Sequence, residues 1–160
     1  MKKIEILCIH CTATPEGREV TPANIRSWHM SPVAKGGRGW DRVGYSEMIA
    51  LDGSLLLLND YNQDDIVQSH EVTWGATGIN SVSRHVVYVG GTDSKLKPKD
   101  TRTKQQLETL ETYVKFMVLR YPWIKVAGHN QFAAKACPSF DTVSWLRSIG
   151  IPEKNIYKKA

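Results

Sequence analysis

The sequence lacks a long hydrophobic run. Its longest uninterrupted aliphatic stretch is Leu55–Leu58, against the roughly 20 apolar residues that a helical bilayer span needs. A transmembrane helix is therefore not expected. Paired cysteines are missing too. The chain has three, Cys8, Cys11 and Cys137, and an odd count does not make a disulfide framework. A Cys8–Cys11 bridge would strain an extended strand, where residues three apart are separated by about 10 Å. Reduced thiols are expected, one of them free to bind metal. There is no repeat and no low-complexity segment. Hydrophobic residues make up 41% and charged residues 23% of 160 positions, the composition of an ordinary globular domain rather than a disordered chain. That length suits one domain, 1–160, with a core over about 3–150 and a C-terminal tail at 151–160.

Several catalytic signatures are also absent. No His-Glu-x-x-His helix occurs, no Gly-x-Ser-x-Gly elbow, and Gly36-Gly37-Arg38-Gly39 lacks the Gly-Lys-Ser/Thr end of a phosphate loop. At the N-terminus, Lys2 and Lys3 precede an apolar run as in a signal peptide. Glu5 and His10 interrupt that run and no small-residue cleavage site follows. The segment reads as a first strand, and the product is expected to be made in the cytoplasm without a signal peptide.

What is present points to a mixed sheet covered by helices. Residues 4–11 read as a buried strand. Thr21-Pro22 starts a helix running to about Trp28 or His29. Glycines and a proline make 31–44 a loop. Residues 45–51 and 54–58 read as strands joined by an Asp52-Gly53 turn. Residues 59–84 are polar and irregular, and 85–89 is a strand. Thr103 and Gln106 form a capping-box pattern ahead of a helix whose Leu107, Leu110, Val114, Met117, Val118 and Tyr121 share a face. A short strand at 124–127 and a helix at 142–148, capped by Asp141, complete the chain. Alternating strands and helices with one hairpin imply a single α/β domain with a central mixed sheet.

The residues suited to chemistry lie at two places: His10 near the end of the first strand, and the stretch from Gly128-His129 to Cys137-Pro138. A loop of this length can bring imidazole and thiolate to one point. Two histidines and a cysteine offer the nitrogen and sulfur donors that zinc takes in tetrahedral geometry, and three protein ligands leave a position for water. A cluster of Cys8, His10 and Cys11 is a weaker alternative, because Cys11 points to the opposite strand face. The net charge, 21 Lys and Arg against 16 Asp and Glu, is +5 and favours an anionic partner. No nucleic-acid motif or aromatic platform accompanies it, so a nucleic-acid partner is not expected.

Six segments occur in order: Ile9-His10-Cys11-Thr12-Ala13-Thr14, Gly39-Trp40-Asp41-Arg42-Val43-Gly44-Tyr45, Asp52-Gly53, Gly90-Gly91, Gly128-His129-Asn130, and Lys135-Ala136-Cys137-Pro138-Ser139-Phe140-Asp141. The series resembles the zinc-dependent N-acetylmuramoyl-L-alanine amidases of the type-2 family, which include phage lysozyme-like amidases and are similar to peptidoglycan recognition proteins. The resemblance covers nearly the whole chain. It implies a zinc site in a surface groove with one Zn2+ per chain, held by His10, His129 and Cys137. It implies hydrolysis of the amide between N-acetylmuramic acid and L-alanine, with Tyr45 and Lys135 at the family's catalytic positions and His70 and Asn80 at the groove wall touching substrate. The implied partner is a peptidoglycan muramyl peptide, with no membrane partner, and the protein acts as a monomer on the cell wall after release or export. A non-cutting recognition module is the alternative, and Cys137 argues against it because non-cutting members usually lack that cysteine. Three departures stand out: Ser31–Arg38 is longer than in compact phage members, Ser46-Glu47 follows Tyr45 where an aromatic or apolar pair is more usual, and Arg84-His85 replaces the usual Ile-Gly.

Overall fold

The computed structural model describes residues 1–160. Five strands form the main sheet: β1 (Ile6–Cys11), β2 (Glu47–Ile49), β3 (Leu55–Leu57), β4 (Ser83–Tyr88) and β5 (Lys125–Gly128). Their order is β3-β2-β4-β1-β5. All neighbours run parallel except the β2–β3 hairpin. The central strands β1 and β4 are buried along their whole length, as strands covered on both faces must be. The mixed α/β sheet expected from the sequence is the observed one.

Three helices flank the sheet: α1 (Pro22–Met30), α2 (Lys104–Arg120) and α3 (Thr142–Ser148). Each starts at the cap the sequence marks. Thr21 Oγ1 accepts from the Asn24 N–H at 3.2 Å, Thr103 Oγ1 from the Gln106 N–H at 3.0 Å, and Asp141 Oδ1 from the Ser144 N–H at 3.0 Å. These bonds satisfy first-turn N–H groups that have no partner inside a helix. The β2–β3 turn closes with the Ser54 N–H on Asp52 Oδ1 at 2.9 Å, and Gly53 takes a φ of 86°, a region costly for other residues.

The alternation of β1 divides the molecule. Leu7, Ile9 and Cys11 join Val86, Tyr88 and Val126 in the larger core, closed by Leu110, Val114 and Met117 of α2 and Leu146 of α3. Tyr113 is buried there as well, while Leu107 and Val118 are only half-buried. Ile6, Cys8 and His10 point to the other face, where Met48, Val87 and Val89 pack with Ile25 of α1.

The structure adds detail that the pattern did not carry. Lys2–Lys3 pairs with Ile66–Val67 inside the stretch read as irregular, and Thr14–Pro15 pairs with Gly91–Thr92. Two-residue ladders leave no periodicity to read. Residues 151–157 lie on the sheet rather than trailing from it. Ile151 and Ile156 are buried, and the Tyr157 N–H donates to Val126 O at 2.9 Å.

Candidate metal centre

Parallel pairing places the first two donors together. Ile9 pairs with Gly128, so His10 and His129 follow adjacent positions at the carboxyl ends of β1 and β5, the edge where open α/β sheets hold their ligands. Their Nδ1 atoms are 3.2 Å apart. The chain then loops back. The Asn130 N–H donates to Cys137 O at 2.7 Å, and the Tyr88 hydroxyl donates to Pro138 O at 2.6 Å. These two bonds pin the loop so that Cys137 Sγ lies 3.8 Å from His10 Nδ1. The Cys11 N–H points at the same sulfur from 3.2 Å.

A tetrahedral ion with Zn–N near 2.0–2.1 Å and Zn–S near 2.3 Å requires N···N edges of about 3.3 Å and N···S edges of about 3.6 Å. The 3.2 and 3.8 Å separations match those edges, and all three donor atoms lie within 4.8 Å of one another. The donor set fits one metal ion.

Electrostatics favours the ligand state of the imidazoles. Burial, then the neighbouring His85 and His129 rings, holds His10 well below the ordinary histidine range, and burial followed by the Lys135 charge lowers His129. Both are neutral at pH 7, as ligation requires. Without a cation, the Cys11 thiol beside it and burial raise Cys137. The Cys11 N–H is the donor placed to stabilise its thiolate.

Around this centre the predicted residues fall into two groups. Tyr45 and Lys135 are at the site. The Tyr45 ring is 5.0 Å from the His10 ring, and burial, with the nearby thiols, keeps its phenol protonated above the ordinary range. Lys135 is exposed and lines a cavity of about 220 Å3 together with His129. The other two stand apart. His70 is exposed on the turn Ser69–Glu71 and is not among the cavity-lining residues, while Asn80 turns its Oδ1 inward to the Ala76 N–H at 2.8 Å and His85 Nε2 at 3.1 Å.

Three residues that sequence reasoning did not single out belong to the groove. Trp40 and Trp74 meet edge to face at 5.8 Å, and Arg38 stacks on Trp40 at 4.9 Å; all three line the cavity. Trp40 lay within the Gly39–Tyr45 motif, which was its available signal. His29, at the end of α1, braces this wall. Its Nδ1 accepts from the Gly44 N–H at 3.0 Å, and its ring lies 4.9 Å from Trp40 and 5.3 Å from Tyr45.

Three nitrogen and sulfur donors that leave a fourth position open, at the strand ends of a mixed sheet, are an arrangement suited to a catalytic metal. Comparison with known proteins narrows this. Residues 1–140 match the family model for N-acetylmuramoyl-L-alanine amidase. The endolysin of Enterobacteria phage K11 is 35% identical over 140 residues, covering 88% of this chain and 83% of that protein. Among solved structures, the Ph2119 endolysin from the Thermus scotoductus bacteriophage superposes with a TM-score of 0.70 at 21% identity, over 94% of this chain and 86% of that one. A mutant of Drosophila PGRP-LB in complex with tracheal cytotoxin gives 0.67 at 19% identity, over 98% and 86%. The chain belongs to the N-acetylmuramoyl-L-alanine amidase family.

Proposed function

We propose that the protein is a zinc-dependent cell-wall amidase of the phage endolysin kind, cutting the amide between N-acetylmuramic acid and the L-alanine of the stem peptide. The observation that carries the zinc reading is the match of the His10–His129 and His10–Cys137 separations to the edges of a zinc tetrahedron. Held by His10, His129 and Cys137, a zinc ion would supply Lewis acidity toward the carbonyl and a water acidified to near neutral pH. The protein's own groups do the rest. Lys135 places an ammonium beside the oxygen that gains negative charge, the kind of preorganised charge that lowers such a barrier. Tyr45, kept protonated by burial, offers a phenolic hydrogen bond at the same centre. It is also a candidate to pass a proton to the departing amine, which must leave neutral.

The cavity suits the substrate's chemistry. Trp40 and Trp74 offer apolar faces, and Arg38 and Lys135 offer positive charge to the carboxylates of a stem peptide. These residues are nearer candidates for substrate contact than His70 and Asn80. The structural neighbour PGRP-LB is complexed with tracheal cytotoxin, which supports a muramyl-peptide ligand for this groove. We assign the action to the cell wall and one protomer as the working unit.

Mass spectrometry of defined muropeptides after incubation with the protein tests this. Free stem peptide and an intact glycan, lost with a chelator and restored by zinc, are expected. A folded, zinc-loaded protein that binds the muropeptide uncut would make it a recognition module instead.

A further inference from the structure

His10 has a second ring nitrogen, and the structure gives it a partner. Its Nε2 is 2.9 Å from Nδ1 of His85, and the Nε2 of His85 is 3.1 Å from Asn80 Oδ1. His85 is completely buried. It arrives there by register: β4 pairs with β1 so that His85 stands opposite Cys8, one step along from His10, on the same sheet face. Space is reserved for the ring. A Cβ on Gly75 would come within 2.6 Å of His85 Cγ and Nδ1, so glycine at 75 leaves the room that the ring occupies.

The hydrogen-bond direction along this row is determined. Asn80 Oδ1 can only accept, and it already accepts from the Ala76 N–H at 2.8 Å. The proton between Asn80 and His85 therefore belongs to His85 Nε2, leaving Nδ1 of the neutral ring as an acceptor. His10 Nε2 must then carry the proton that His85 Nδ1 accepts. That leaves His10 Nδ1 unprotonated, and this is the nitrogen that faces His129 and Cys137.

We propose that His85, backed by Asn80, is a positioning residue that fixes the tautomer and ring orientation of His10 for metal binding. The inference rests on the zinc reading above. A buried imidazole here does the work that a carboxylate or a carbonyl usually does behind a metal-bound histidine. It also assigns Asn80 an inward role as the acceptor that ends the row. Cys8, His10 and His85 also place their donor atoms within 4.8 Å of one another. In that arrangement His85 would be a ligand of a second ion, which competes with the positioning role.

Zinc affinity measured by chelator competition separates these cases. His85→Leu, which keeps bulk but has no acceptor, is expected to weaken zinc binding by about 10- to 100-fold. His85→Gln, whose amide oxygen can accept from His10, is expected to recover most of that loss. The apo-protein melting temperature is followed alongside, because a packing defect alone would lower it without a zinc penalty that the Gln variant repairs. Long-range 1H–15N spectra of the zinc-loaded parent need no variant and are expected to show both His10 and His85 protonated at Nε2. Unchanged zinc affinity in His85→Leu, equal losses in the Leu and Gln variants, or a His85 ring protonated at Nδ1 would overturn the positioning role. So would a second zinc per chain that disappears with His85→Leu. A parent that binds no zinc at all would instead overturn the metal reading itself, while the tautomers of the metal-free protein would still report on the row.

Discussion

The two faces of β1 solve different problems with the same alternation. On one face, Leu7 and Ile9 meet α2 and α3 in an apolar core, where burial supplies the stability. On the other, Cys8 and His10 stand with His85 and His129, every one of them buried. Buried imidazoles contribute little hydrophobic free energy and must be hydrogen-bonded or metal-bound. One face carries the larger apolar core, and the other, beside its own cluster around Ile25 and Met48, spends part of the fold's stability on keeping imidazoles neutral and oriented. Changes on the two faces should therefore separate cleanly into effects on stability and effects on chemistry.

The largest effect is expected on the chemical face. Cys137→Ala removes one of the three proposed metal donors, and zinc content and amidase activity should both be lost. The metal-free melting temperature should change little, because Cys137 is only half-buried. Full activity in this variant would remove Cys137 from the metal site. Next, Lys135→Ala should retain zinc and lower kcat by about 10²- to 10³-fold, the cost of losing one charge-stabilising group. A parent-like kcat would exclude Lys135 from that role.

On the apolar face, Leu146→Ala opens a cavity beneath α3, where Leu146 is fully buried. Denaturant titration should show a loss of about 2–5 kcal/mol, with kcat per folded molecule intact. A drop in kcat would mean that the two faces are coupled.

The smallest effect concerns the wall behind the groove. Burial, then the Arg38 charge, lowers His29 from 6.5 to about 4. The unfolded chain binds a proton here at a higher pH than the folded one does. The stability from the neutral ring is thus complete above pH 6.5 and is lost as pH falls toward 4. The metal-free protein should destabilise across that window, and His29→Gln should flatten part of the slope. An unchanged slope would show that His29 titrates normally.

Local signals in the sequence carried much of this. The caps at Thr21, Thr103 and Asp141 depend on residues three positions apart, and the helices begin where those residues sit. His10, His129 and Cys137 could be picked out because their residue types are scarce and fall into an ordered series of motifs. His85 stood out in the sequence only as part of the Arg84-His85 departure, without a role. Its meeting with His10 depends on the β1–β4 register and on the space left at Gly75. Asn80 looked like a groove residue, yet the direction its amide faces follows from the fold of residues 76–80. Nor does the sequence show that the Cys11 main-chain N–H meets Cys137 Sγ, since no side chain announces it.

The central claim is that one zinc ion sits on His10, His129 and Cys137. X-ray absorption at the zinc edge of the purified protein tests it directly. The account predicts a first shell of one sulfur near 2.3 Å and nitrogen or oxygen donors near 2.0–2.1 Å, with the sulfur component gone from any zinc taken up by Cys137→Ala. A parent spectrum with no sulfur, or one whose sulfur survives that substitution, would contradict it.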